Sequence, residues 1–380
     1  MRRTNAHGKM EISHVFVCSI LLLLLIPMIV LPAGHAAKLT PRRRLLSTSG
    51  ASIIDTNGQP INLMVVNYRG LESPYRKNDE HHSSAYAMFA RDGFNAVRVP
   101  VAWAWFEPEP GTFSKSYLSV LDQDVAWAAQ NHLYVIIDMH QVCLSPWFSG
   151  KEFGGTGNGF PIWAVSQYAQ TEDGLRQAWS NFWVNDTLQN HFINVWVKIA
   201  KHYAGNPVIA GYDLLNEPHA IGDSSAVAAF YDRLIAAIRA VDPDRMIILE
   251  PAGWFGYGWL YVSESYMVSA SNIVWSPHFY TDSQLEGYGQ SNYADLQAQI
   301  QSDYNFYVLM HHQALWYGEF GAYHTDSTVR HLWLHDAMTL FRQYQVSGSW
   351  WAYVEDCMAE QGPESLSDYQ YTSLTLHSSS

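Results

Sequence analysis

Charge is scarce in this chain, and positive charge scarcer still. Asp, Glu, Lys and Arg make up 15% of its 380 residues, and 22 Lys plus Arg stand against 35 Asp plus Glu. A net charge of −13 excludes the basic, phosphate-tracking surface of a nucleic-acid binder. Cysteine is almost absent, and Cys18, Cys143 and Cys357 are too dispersed for a zinc-ligand pattern. No Ser stands in a Gly-x-Ser-x-Gly elbow, which counts against an acyl-transfer enzyme. Apolar residues, by contrast, are plentiful at 48%, which excludes a disordered chain. Aromatics are in excess, with 15 Trp, 23 Tyr and 16 Phe. Burial uses many of them, and a groove that stacks sugar rings is the other use for flat apolar faces with polar handles.

The first 36 residues read as a secretory signal peptide: Arg2, Arg3 and Lys9, an apolar run from Val15 to Leu31, then Gly34-His35-Ala36-Ala37. The same run approaches the ~18–20 residues that span a bilayer, so an uncleaved anchor is the rival. No later segment is long and apolar enough to span. Secretion is therefore expected, with membrane attachment only if the signal is retained. Residues 37–51 read as a linker, 52–372 as one catalytic domain and the Ser-rich 373–380 as a loose tail. Outside the cytoplasm Cys143 and Cys357 could pair, or remain two buried thiols.

From Ser52 one rhythm holds. Ile53 to Ile61, with Asn57-Gly58 at its turn, is a hairpin. Eight β-rich apolar runs follow: 63–66, 96–101, 134–138, 209–215, 246–249, 272–275, 315–317 and 347–353. Between them apolar residues recur at helical spacing, as in Leu188, Phe192, Val195, Trp196, Ile199 and Tyr203. Continuous apolar strands alternating with amphipathic helices imply a parallel sheet buried on both faces. Eight such units close into an α/β (β/α)8 TIM barrel, here with an N-terminal β-hairpin plugging its bottom. The widest gap, between strands three and four, holds a glycine string at residues 153–159 and reads as a mobile lip.

Chemistry in such a barrel sits where strands end. Standing there are Arg98, His140, Asn216-Glu217-Pro218, Trp254, His278-Phe279-Tyr280, Glu319 and Trp350-Trp351. A Glu at a strand end is ordinarily a solvated loop residue or a helix cap. Glu217 and Glu319, however, both sit in apolar contexts where charge is costly. Arg98 in Ala-Val-Arg-Val-Pro needs a carboxylate, and Glu319 is the natural one. Two carboxyls across a cleft are equipment for glycosidic bond cleavage, one to protonate the leaving oxygen and one to meet the oxocarbenium ion.

Leu214-Leu215-Asn216-Glu217-Pro218 resembles the strand-four signature of glycoside hydrolase family 5, the cellulase family of clan A. Tyr317-Gly318-Glu319-Phe320-Gly321 resembles its strand-seven nucleophile motif, and Arg98, His140, His278 and Tyr280 fall where that family has an arginine, a sugar-binding histidine and His-x-Tyr. The resemblance covers about Ser52 to Glu360. It implies a retaining mechanism with Glu217 as acid/base and Glu319 as nucleophile, and neither cofactor nor metal. It also implies Asn216 on the 2-hydroxyl of the reacting sugar, with Arg98, His278 and Tyr280 orienting Glu319. Strand eight departs: the family commonly ends it Trp-Ala-Tyr-Trp, and this chain reads Trp351-Ala352-Tyr353-Val354. Either Trp350 or Trp351 then lies under the sugar. Residues 153–155 and 178–183 also resemble the lip of the endoglycoceramidase branch, which usually appends a β-sandwich for which this chain ends too soon. The expected function is a secreted, monomeric, retaining endo-β-1,4-glucanase acting on a β-glycan. Mannan, another β-glycan or a glycolipid headgroup are alternatives, and a glycan-binding barrel without activity is the reading of a different class.

Overall fold

In the computed structural model, residues 45–72, 81–148, 158–220, 225–253, 267–280, 290–321 and 327–353 are described. The apolar run at 15–31, Cys18, Cys357, most of the glycine string, Trp254 and the Ser-rich tail lie outside them, and with them the pairing of Cys143. No described helix is long and apolar enough to cross a membrane.

The described residues begin with an antiparallel pair, β1 (Ser47–Ser49) and β2 (Ser52–Ile54). Strand structure thus starts inside the stretch expected to be linker. The turn at Asn57-Gly58 is also present, with Asp55 Oδ1 accepting from Asn57 and Gln59 N–H and a single bridge between Ile54 and Pro60. The expected hairpin is therefore the second arm of a short meander. Its first turn is carried by Gly50, whose φ of +56° suits glycine.

Parallel strands follow: β3 (Val65–Tyr68), β4 (Ala96–Val101), β5 (Tyr134–Met139), β6 (Ile209–Asp213), β7 (Met246–Leu249), β8 (Ile273–Trp275), β9 (His278–Tyr280), β10 (Ala314–Leu315), β11 (Tyr317–Gly321) and β12 (Gly348–Tyr353). Their hydrogen-bonded order is β10-β8-β7-β6-β5-β4-β3-β12-β11-β9. β8 and β9 are two pieces of one strand, interrupted at Ser276-Pro277 because proline cannot donate to a ladder. β10 and β11 are likewise two pieces separated by Trp316. Since β10 pairs with β8 and β11 with both β9 and β12, the two ends of that order are the same pair of strands, and the ring of eight closes. Strands six and seven therefore run past the apolar stretches that marked them, to Tyr280 and Gly321.

Helices cover the outside of this ring. They include α1 (Ser83–Arg91), α2 (Trp103–Phe106), α3 (Lys115–Gln130), α4 (Ile162–Val165), α5 (Glu172–Val184), α6 (Asp186–His202), α7 (Ser225–Arg239), α8 (Gln290–Asp303), continuing as a π-helix to Met310, and α9 (Ser327–Tyr344). In α6 all the residues picked out by helical spacing are buried through Ile199, and Asn185 Oδ1 caps its start by accepting from Leu188 N–H. The gap read as a lip holds α4 and α5. α5 is capped by Thr171 and buries Leu175, Ala178, Trp179, Phe182 and Trp183 against the barrel's outer core.

The barrel interior is layered. Leu46 and Ile53 from the hairpin meet Val65, Ala96, Ile136, Met246, Val274 and Trp316 in one apolar plug at the bottom. Two residues further along four strands, and four beyond Met246 on a fifth, the inward positions turn polar: Asn67, Arg98, Asp138, Ser276 and Glu250. On β6 a register shift against β5 falls next to Ala210, and Asp213 joins the same layer. Trp316 is the largest side chain of the plug, fully buried, with its indole N–H donating to Leu63 O at 3.1 Å. Trp316→Ala should cost about 3–5 kcal/mol, the usual range for deleting a buried tryptophan. A urea midpoint unchanged from wild type would contradict a packed interior.

Candidate active site

Arg98 projects from β4 into the polar layer and is fully buried. Its Nε donates to Asp213 Oδ2 (3.0 Å), Nη1 to Asn67 Oδ1 (2.9 Å) and Glu319 Oε1 (3.0 Å), and Nη2 to Asn216 Oδ1 (3.0 Å) and Glu250 Oε1 (2.9 Å). Asp138 Oδ1 lies 3.0 Å from Nη2. One guanidinium is thus ringed by four carboxyl groups in a medium where lone charges are prohibitive. Burial pushes Asp138 and Asp213 well above the usual carboxylate range, against the pull of Arg98. Oxygens of Asp138, Asp213 and Glu250 lie within 4.8 Å of one another, a spacing a metal ion could bridge, but the cation among them is Arg98.

The two glutamates stand above this layer. Glu319, on β11, is 5% exposed and is gripped by Arg98 and by Tyr280 O–H, which donates to Oε2 at 2.6 Å. Glu217 follows β6 with a left-handed φ of +40°, and its side chain is 37% exposed. Its backbone is held at both ends: N–H donates to Glu250 Oε2 (2.6 Å) and C=O accepts from Gln141 Nε2 (2.7 Å). A carboxylate oxygen of Glu217, one of Glu319 and a ring nitrogen of His278 lie within 4.8 Å of one another.

His278 Nδ1 lies 2.9 Å from Glu217 Oε1 and 3.5 Å from Glu319 Oε2, while Nε2 lies 3.2 Å from Glu250 Oε2. Burial alone would lower the imidazole, but the carboxylates around it, Glu250 foremost, raise it well above the ordinary histidine range. A charged His278 in turn brings Glu217 down to about 2, although burial works the other way. Glu319 is raised, because burial outweighs the pull of His278 and Arg98. His140 is different: burial takes it down to about 4, so it is neutral. Its Nδ1 shares a hydrogen bond of 2.7 Å with Asp138 Oδ2, and its ring stacks on Trp351 at 5.1 Å.

Strand eight resolves as follows. Trp351 reaches the cleft, with His140 stacked on it and the Arg69 guanidinium 5.2 Å from its ring centre. A register shift of β12 against β3 between Trp350 and Tyr353 sets this aim. Trp350, expected to bind substrate, instead packs edge-on against Phe320 in the helix-facing core and is fully buried. Adjacent strand residues point to opposite faces, so only one of the two could serve the cleft. Asn216 is in place: Oδ1 accepts from Arg98 and Nδ2 donates to Gln141 O (2.9 Å), which leaves the amide a second N–H. Arg98, His140, Asn216, Glu217, His278, Tyr280, Glu319 and Trp351 are thus brought together. Trp254 lies outside the described residues.

A family model for cellulase (glycosyl hydrolase family 5) matches residues 54–356. The chain belongs to that family. It is therefore a glycosyl hydrolase by lineage. Its family 5 relatives include an endoglycoceramidase of Cyanea nozakii, 25% identical over 203 residues that span 43% of this chain and 40% of the relative. An endoglucanase of Paenibacillus polymyxa is 24% identical over 61% of this chain and 59% of its own length. Among solved structures, an endogalactoceramidase superposes with a TM-score of 0.71 at 21% identity, over 87% of this chain and 84% of that one. Endo-glycoceramidase II from Rhodococcus sp., in a cellobiose-like isofagomine complex, gives 0.67 at 23%, over 84% and 80%. The chain spans 30% to 40% of the length of three curated relatives it matches.

Four members of the polar layer escaped the sequence reading as site residues: Asn67, Asp138, Asp213 and Glu250. The signal was present. Each interrupts or ends an apolar strand, the same argument that singled out Arg98, and a buried arginine with one carboxylate partner leaves most of its five N–H groups unmet. Arg98→Met should abolish activity and destabilise the fold by about 3–5 kcal/mol, the cost of stranding buried charges. Without the cation the folded-state carboxyls bind protons more tightly than the unfolded chain does. The destabilisation should therefore be largest at neutral pH and shrink as pH falls through their raised pKa values. Denaturant titrations at pH 7 and pH 4 that show an equal loss would contradict this.

Proposed function

We propose that this chain is a retaining endo-β-glycosidase, with Glu319 as nucleophile and Glu217 as acid/base. The observation that carries this reading is the approach of the two carboxylates within 4.8 Å. Retaining enzymes hold theirs ~5–5.5 Å apart, whereas an inverting pair needs ~6.5–9.5 Å to admit a water. Glu319 is the better-anchored of the two. Arg98 and Tyr280 fix both its oxygens, so one lone pair can be aimed at an anomeric carbon. Glu217 is the half-exposed one and stands where a leaving group departs to solvent.

The first step needs a proton on Glu217 and none on Glu319. The charges within the site favour the opposite arrangement, chiefly through His278. A sugar ring laid over the pair strips water from Glu217, and loss of water raises a carboxyl's pKa. Attack by Glu319 on the anomeric carbon then forms a glycosyl ester as Glu217 protonates the leaving oxygen. The ester has no charge on Glu319, so Glu217 next acts as base and draws a proton from the water that cleaves it. Trp351 supplies the flat floor for the glycone, and the second N–H of Asn216 is placed for its 2-hydroxyl.

For the substrate we propose a β-1,4-glucan, with the enzyme working outside the cell as the N-terminal sequence suggests. A second reading, a glycosphingolipid headgroup, is favoured by the endoglycoceramidases among the relatives and by the fold they share with this chain. Reducing-sugar release from cellulose and lichenan against glycan release from glycosylceramide separates the two.

Glu319→Gln should keep its fold and lose nearly all turnover; activity near wild type would remove it as nucleophile. Glu217→Ala should slow unactivated glycosides by about 10²–10⁴-fold, the usual worth of a general acid, and activated aryl glycosides far less. Equal slowing of both would remove it as the acid. Proton NMR of the first-formed sugar should show the β-anomer, and an α-anomer would mean inversion.

A further inference from the structure

A third glutamate meets the groups that define the proposed chemistry, though no step of it uses that residue. Glu250 ends strand five and is fully buried. Its Oε2 accepts from the backbone N–H of Glu217 at 2.6 Å and stands 3.2 Å from His278 Nε2, and its Oε1 accepts from Arg98 Nη2 at 2.9 Å. Through Arg98 it is one guanidinium removed from Glu319, since Nη1 of the same group donates there at 3.0 Å. One carboxylate is therefore bonded to the backbone of one glutamate and to the arginine holding the other, and stands within ion-pair distance of the histidine between them.

We propose that Glu250 is the positioning residue that registers the two reacting carboxylates against each other and fixes the charge of His278. This rests on the assignment of Glu217 and Glu319. Two physical reasons support it. First, Glu217 has φ +40°, a conformation that is costly for a non-glycine residue and persists only when its surroundings enforce it. The N–H of that strained residue is tied to Glu250 and its C=O to Gln141, so Glu250 supplies one of two anchors that point the acid into the cleft. Second, His278 is buried and faces Glu217, Glu250 and Glu319, with the Tyr280 ring 6.3 Å away and Arg98 beyond Glu250. Glu217 and Glu319 must each change charge during turnover, as one gives up its proton and the other becomes an ester. Glu250 takes no part in that exchange. It is the counter-ion that remains beneath the imidazole while the two above it alternate.

Glu250→Gln keeps the size and removes the charge. Expected is a fall in kcat of at least about 30-fold on an unactivated β-glycoside, part of the ~10²–10⁴ that a general acid supplies, with KM within threefold. The loss should be smaller on an aryl glycoside with a good leaving group. Imidazole NMR should show His278 charged beyond the ordinary ~6.5 in wild type and titrating lower in the variant, with unchanged circular dichroism. Glu250→Asp, which keeps the charge on a shorter arm, should recover part of the lost kcat. The proposal is overturned if Glu250→Gln stays within threefold of wild type with an unshifted pH profile. It is also overturned if Asp at this position is no better than Gln. Were the Gln variant not to fold, wild-type His278 alone decides: an imidazole that titrates at or below the ordinary value sinks the proposal. Glu319→Gln assayed in parallel tests the pair itself, and activity there would fall on that assignment while the His278 titration still reports on Glu250.

Discussion

The structure depends on one cation. Arg98 is out of reach of water and in reach of four carboxyl groups and two amides, contributed by β3, β5, β6 and β11 and by the residues that follow β6 and β7. Burying any one of those carboxylates by itself would be prohibitive, and so would burying the arginine. Together they form a polar disc that closes the top of the barrel interior as the apolar plug around Trp316 closes the bottom. The disc is the floor of the cleft. Glu319 is bonded directly to it, and Glu217 through its backbone to Glu250, so the two reacting groups share one rigid support.

That support explains why the site tolerates local strain. Glu217 has a positive φ, and so do Cys143 and Leu144 in the loop that packs beside it. Gln141 links the two strained segments: its Nε2 donates to Asn216 O and Glu217 O, and its Oε1 accepts from Leu144 N–H. A left-handed residue without such ties would relax toward ordinary backbone and turn its side chain elsewhere. Gly318 serves the same geometry by having no side chain. A Cβ there would overlap Ser276 Oγ, beside the His278 ring.

Much of this was legible in the sequence because barrel strands are apolar by necessity, and a charge among them is conspicuous. Arg98, Glu217 and Glu319 stood out for that reason, and the eight runs were placed correctly because strands buried on both faces leave no alternation to misread. What was not legible depended on single-residue offsets. Whether Trp350 or Trp351 enters the cleft turns on one register shift in β12, and shifting a strand by one residue exchanges its faces. The true extent of strands six and seven was hidden for a related reason: Pro277 and Gly318-Glu319 are not β-rich, so the runs seemed to stop where the functional ends of those strands begin. The helix α5 was missed because the glycine string before it drew the reading of that gap and residues 178–183 were taken with the lip they resemble, although Leu175, Ala178, Trp179 and Phe182 do recur at helical spacing.

The protonation pattern is the part that no residue pattern could supply, because it belongs to the cluster rather than to its members. Glu217 and Glu319 are the same amino acid within 4.8 Å of each other, yet their pKa values are displaced in opposite directions. Burial raises both, and the difference comes from the imidazole, whose hydrogen bond and charge overcome burial at Glu217 but not at Glu319. Glu217 retains solvent and lies against a charged His278, whereas Glu319 is nearly dry and shares its arginine with three other acids. Both conditions change when a ring settles over the cleft, since the water leaves Glu217 first. A pair biased against its first step in the open cleft and toward it once covered would spend little time as an armed nucleophile without a sugar to attack. On this view selectivity for occupied over empty sites follows from the unequal exposure of the two glutamates, and that inequality is set by Glu319 lying within β11 while Glu217 lies beyond the end of β6.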